Sequence, residues 1–160
     1  MNRTQTQRKQ ASRRGTATVE FAVIAPVFLT LILGIIEGSQ LFSTHGSMAQ
    51  AARDGARLGA MDRSDWIATG IDSNEKIITD VKNNLELAGM DRDKIEVFIE
   101  HPNDPGNTFD LDDPANDLGL FELRIEIPYS STSSMPMPDN YDTKLVSKVV
   151  FRNSRSNLIQ

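Results

Sequence analysis

The chain has no cysteine in its 160 residues, so any folded part must rest on packing rather than on disulfides or a thiolate zinc site. Its two histidines, His45 and His101, stand far apart and show no ligand-type spacing to acids, which argues against a metal role for either. Serines are frequent, yet none lies in a nucleophile-elbow pattern, and there is no phosphate-binding glycine loop. These absences point away from an enzyme and leave no catalytic residue, cofactor or metal to assign. Acids are missing from residues 1–15, which carry Arg3, Arg8, Lys9, Arg13 and Arg14, although the whole chain has a net charge of −5. A short basic tail without aromatics, followed by an acidic body, does not make a nucleic-acid surface.

What the chain does have is a long apolar run. Ala17 to Ile36 is broken only by Thr18, Glu20, Pro26 and Thr30. Phe21 to Ile36 is uncharged and would make roughly 24 Å of helix, a little short of a hydrocarbon core about 30 Å thick. A secretory signal would end at a small-x-small site, but Glu37-Gly38-Ser39-Gln40 follows here. The run therefore reads as a retained transmembrane segment over residues 17–38. By the positive-inside rule its basic tail stays in the cytoplasm and the acidic bulk lies outside, in the periplasm.

Glu20 is the anomaly within this run. A carboxylate at the centre of a membrane helix costs about 2.5–3.5 kcal/mol on insertion scales, so its presence calls for a reason. Cleavage after Gly15 would supply one. The new α-amino group on Thr16 would lie four residues, or one helical turn, before Glu20 and give the carboxylate a counter-charge. The arrangement points to a pilin-type precursor with a basic leader at residues 1–15 and a processing site at Gly15 and Thr16. Pro26 either bends the span or marks a place where the helix stretches on packing into a filament. Gly34 and Gly38 form a G-x-x-x-G pair through which two helix backbones can approach.

Beyond the span, Leu41, Phe42, His45, Met48, Ala52, Ala56 and Gly59 recur at three- and four-residue steps, so one helix is expected over residues 16–60. A second helix should start at Asp72, with Glu75 completing a capping-box pattern. It should present Ile78, Val81, Leu85 and Ala88 and stop at Gly89. Alternation predicts strands over Lys94–His101, Leu120–Tyr129 and Lys144–Arg152. Pro102–Gly119 and Ser130–Asp142 read as exposed loops. Asp110-Leu111-Asp112-Asp113 lacks the glycine and distal glutamate of an EF-hand and reads as a solvated acidic loop. The expected fold is α+β. A long, partly transmembrane N-terminal helix precedes a head at residues 61–160, in which a further helix covers an antiparallel sheet of about three strands.

Over residues 13–60 the chain resembles the TadE-like family of tight-adherence (Flp/Tad) pilus proteins. The likeness is carried by Arg14-Gly15, Val19-Glu20-Phe21-Ala22, Ala25-Pro26, Gly34-Ile35-Ile36-Glu37-Gly38 and Ala51-Ala52-Arg53-Asp54-Gly55-Ala56-Arg57. A strand ending in Ile127-Pro128-Tyr129 and another near the C-terminus resemble the family's head in a general way. Where the family often has an aromatic and a basic residue after its glutamate-glycine pair, this chain has Ser39-Gln40. The resemblance implies a minor pilin or pseudopilin of the inner membrane, cut after Gly15 by a prepilin peptidase. Its expected partners are other pilins or pseudopilins, the inner-membrane assembly platform and the lipid bilayer, and it would help assemble or prime a pilus for surface attachment. Two other readings stand beside it: an adhesin acting through the loops at 102–119 and 130–142, and an uncleaved bitopic scaffold of a secretion machine.

Overall fold

The computed structural model describes the backbone of residues 4–133 and 143–154, and the side chains of residues 15–133 and 143–154. The loop expected at Ser130–Asp142 thus lies largely outside the described residues. The chain divides into two compact units, Met1–Ser39 and Gln40–Gln160.

The first unit is wholly helical where described, within α1 (Thr4–Gly59). The helix begins well before the expected residue 16, because the leader is built of good helix formers (Gln, Arg, Lys, Ala). Pro26 is accommodated inside it. Having no N–H, Pro26 cannot donate to the carbonyl of Ala22. Its own carbonyl accepts a bond from the Thr30 hydroxyl at 2.7 Å, which keeps one polar group on this apolar surface satisfied.

The second unit has the expected α+β architecture. It holds the end of α1, a short helix α2 (Ser64–Ala68), α3 (Ser73–Leu87) and the strands β1 (Glu96–Glu100), β2 (Leu120–Pro128) and β3 (Lys144–Arg152). The sheet is antiparallel in the order β1-β2-β3. Helix α3 starts as the sequence indicates, with the Asp72 carboxylate accepting from the Glu75 N–H at 2.9 Å. It ends in a Schellman arrangement. Met90 N–H donates to Leu85 O and Gly89 N–H to Glu86 O, and Gly89 sits at φ +91°, where a side chain would be strained. Helix α2 is unexpected. It carries Trp66, which packs at the margin of the core with the Lys76 ammonium 5.3 Å from its ring.

One sheet face builds the core. Phe121, Leu123, Ile125 and Ile127 of β2 are all fully buried, as alternation requires of a strand covered on one side. Ile77, Val81 and Leu85 of α3 join them, together with Met48, Ala51, Ala52 and Ala56 of α1. The structure corrects the expected helical stripes at several points. On α3 the buried residue is Ile77, while Ile78 packs only partly and Ala88 is exposed. On α1 Phe42 is 79% exposed and His45 is also exposed, so burial begins at Met48. The helical period runs on through residues 41–45, but among the described residues it is left uncovered at Phe42 and His45.

Leu85→Ala or Ile125→Ala should cost about 2–5 kcal/mol, the range for opening a cavity in a packed core. Thermal melts of the full chain in detergent would read this as a lowered midpoint. An unchanged midpoint for Leu85→Ala would mean that α3 does not hold the sheet.

Candidate functional site

The residues singled out from the sequence all lie on α1. Gly15, Thr16, Glu20, Pro26 and Gly34 are exposed, and Gly38 is half-buried. A Cβ at Gly15, Gly34 or Gly38 would meet no atom within 4 Å. At about 100° per residue, Thr16, Glu20, Gly34 and Gly38 fall within about 40° of one another around the axis. Pro26 lies on a different side. One face of the helix thus carries the carboxylate at one end and two bare stretches of backbone at the other. Val27 lies on that face between Glu20 and Gly34, and large apolar side chains such as Phe21, Phe28 and Leu33 stand to its sides; all four are exposed. Glu20 is the only charged residue from Thr16 to Ile36. The helix from Gly15 onward, whose most apolar window has a mean hydropathy of 2.5, is long and apolar enough to cross a membrane.

A second centre, in the Gln40–Gln160 unit, was not foreseen. Arg63, just after α1, is 2% exposed. Its guanidinium donates to the carbonyls of Gly59, Met61 (3.2 Å) and Leu111 (2.9 Å) and to Asn153 Oδ1 (2.8 Å). Its Nε stands 3.8 Å from Asp112 Oδ1. Asn153, fully buried, donates in turn to the carbonyls of Leu111 and Asn116, and the Ser154 hydroxyl donates to Ala60 O. The end of α1, the 109–117 segment and the chain after β3 therefore meet at one guanidinium. No local pattern announces this, since Arg63 and Asn153 are 90 positions apart.

The acidic run is also more than a solvated loop. Asp112 Oδ2 accepts from the Ser73 N–H at the start of α3, and Asp113 Oδ1 caps a short 3-10 turn through Ala115 N–H. Phe109 and Leu111, just before them, are buried, and Asn74 clamps both backbones by donating to Phe109 O and accepting from Leu111 N–H. The expected exposed loop at 102–119 is therefore anchored through its middle. His101 lies edge-on to Phe109, with ring centres 4.9 Å apart. Among the described residues no three His, Asp or Glu side chains come together as a metal site. Nearby, the exposed Asp62 carboxyl accepts from the Ser64 N–H, which holds its pKa below the usual carboxylate value. That contribution to folding is present above the ordinary carboxylate range and fades as pH falls through the lowered value.

The outer sheet face is a charge ladder. Arg124 donates to both oxygens of Glu100 (3.0 and 2.9 Å) and to Glu126, and its guanidinium stacks 4.5 Å from the centre of the Phe98 ring. Lys144 reaches Glu96 (2.7 Å) and Glu126 (2.9 Å), and Lys148 reaches Glu122 (3.5 Å). This face shields itself with paired charges where the inner face uses helices.

Comparison with curated proteins and with solved structures gives no match to the chain. The segment that carries the glutamate, the apolar run and the Ala51–Arg57 stretch does match: residues 15–57 fit the model of the TadE-like protein family, the family the sequence resembles.

Proposed function

We propose that the chain is a minor pilin or pseudopilin of a Tad-type pilus, a structural protein of pilus assembly or initiation. In this reading it enters the inner membrane with residues 1–15 in the cytoplasm and its α+β head in the periplasm, and a prepilin peptidase cuts between Gly15 and Thr16. The observation that carries the reading is the lone carboxylate Glu20, one turn beyond Thr16 on an exposed apolar helix, on the face that also bears Gly34 and Gly38. Association with Tad pili is what the TadE-like match suggests. Gly15 also suits the cut mechanically. A glycine inside a helix weakens it by about 1 kcal/mol relative to alanine, so the chain can open locally for a protease there.

Intact-mass measurement of the membrane-purified protein tests the cut. In a strain with an active prepilin peptidase the mass should be that of residues 16–160, and Gly15→Leu should restore the full-length mass. If Met1 is retained in the unsubstituted protein, the chain is an uncleaved bitopic scaffold instead. Assembly is tested separately with Glu20→Ala. Insertion should proceed normally, because a membrane-placed charge has been removed. Co-purification with other pilins and piliation should fall, because the Thr16 amine enters an apolar assembly without its partner. Wild-type piliation in this variant would exclude the role given to Glu20.

A further inference from the structure

The two edges of the sheet are treated differently. Along β1, the Phe109 N–H donates to Ile99 O at 2.9 Å and Glu100 bridges to Thr108, so residues 107–109 close the Ile99 end of that edge. Nothing among the described residues closes the edge of β3. Tyr129 N–H donates to Thr143 O and Asn153 N–H to Gly119 O, so the odd-numbered residues of β3 face β2. Lys144, Val146, Lys148, Val150 and Arg152 therefore turn both N–H and C=O outward. Their side chains share the outer sheet face, with the bases four residues apart and the valines between them. Val146 and Val150 are 43% and 45% exposed. Arg152 is exposed and meets no carboxylate among the described residues.

We propose that the free edge of β3 is a strand-addition site for an extended acidic segment of another protein. Backbone bonds to the outward N–H and C=O groups would give affinity, and the side-chain pattern would select the sequence. A fitting segment carries carboxylates at positions one, five and nine, opposite Lys144, Lys148 and Arg152, and apolar residues at three and seven, opposite Val146 and Val150. A second copy of β3 fits poorly. The strand holds three bases and no acid, so no register supplies a carboxylate, and the registers that pair valine with valine set base opposite base. Among the described residues the edge is open whether or not Gly15 is a cleavage point.

Amide hydrogen exchange of the full chain in detergent micelles, read residue by residue, tests this with two synthetic nine-residue peptides. One has glutamate at positions one, five and nine, valine at three and seven and threonine elsewhere; the other replaces its glutamates by lysine. Without peptide, the amides of Val146, Lys148 and Val150 should exchange rapidly while those of Ser147 and Val149 are slow. The acidic peptide should slow the first set at least about tenfold, and the basic peptide should leave it fast. Val146→Pro removes one outward donor but no bond to β2, and should abolish the protection. Arg152→Glu should weaken acidic-peptide binding about two- to fivefold and needs no change at the backbone. Three results would overturn the proposal: outward amides already protected without peptide, protection that appears only as the protein concentration rises, or equal binding of both peptides. Absence of any binding would do the same.

Discussion

Arg63→Ala should destabilise the Gln40–Gln160 unit by about 3–5 kcal/mol, the range for breaking a buried ion pair by removing one partner. The loss exceeds one hydrogen bond because the guanidinium serves acceptors on three separate chain segments. Without it the buried carbonyl of Leu111 keeps only the 3.2 Å bond from Asn153, and Asp112 loses its cation. Arg63→Lys should recover little. A lysine ammonium is a point charge on a flexible stem and cannot reproduce a planar fork that reaches Leu111 and Asn153 together. Arg63→Met keeps apolar volume but strands the Asp112 charge, so adding Asp112→Asn should restore part of what Arg63→Met alone removes. Thermal and urea melts of the full chain measure all four variants. A midpoint unmoved by Arg63→Ala would show that the end of α1 is held by packing alone.

Gly55→Val should be nearly as damaging, and the cause is steric. An added Cβ at Gly55 would stand 2.4 Å from Val81 Cγ2 and 3.1 Å from Leu123 Cδ1. Val81 is β-branched and has few rotamers by which to yield, and it is buried against the sheet. Even Gly55→Ala should therefore lose stability, the overpacking cost of about 1–3 kcal/mol outweighing the roughly 1 kcal/mol that alanine gains in helix propensity. Gly46 offers the control on the same helix. Nothing lies within 4 Å of a Cβ there, so Gly46→Ala should raise the melting midpoint. Opposite signs for one substitution at two positions is the outcome to measure. Val81→Ala should relieve Gly55→Ala, because neighbours that share a clash are not additive. Equal effects at Gly46 and Gly55 would mean that the close approach of α1 to α3 is not as described.

Much of this fold was legible because its signals are local. The Asp72–Glu75 cap, the Gly89 stop and the alternation of Phe121 to Ile127 each lie within a few residues, and the expected bounds of β3 are the observed ones. Two kinds of feature were not legible. Periodicity marks a face but not where its cover begins, hence Phe42 and His45 on an expected packing stripe and Ile78 in place of Ile77. Composition marks a loop but not its anchors. The Pro, Asp and Gly between residues 102 and 119 obscured Phe109 and Leu111, which fill the core. The buried centre at Arg63 had no sequence signal because its partners come together only in the finished fold. In the candidate site, by contrast, the helical spacing of Thr16 to Glu20 and of Gly34 to Gly38 was legible, because helix geometry sets it without any tertiary contact.

The guanidinium of Arg63 also sets an order of events. It emerges early in synthesis, yet its side-chain acceptor Asn153 follows 90 residues later, directly after the last strand. Until that strand pairs, a charge destined for the interior remains in water, and α1 ends without its clamp. Closing so long a loop comes at an entropic cost before any contact rewards it. The unit should therefore fold late and all at once, only after β3 and Asn153 have emerged, and spend its waiting time as a helix whose small-residue face is still uncovered.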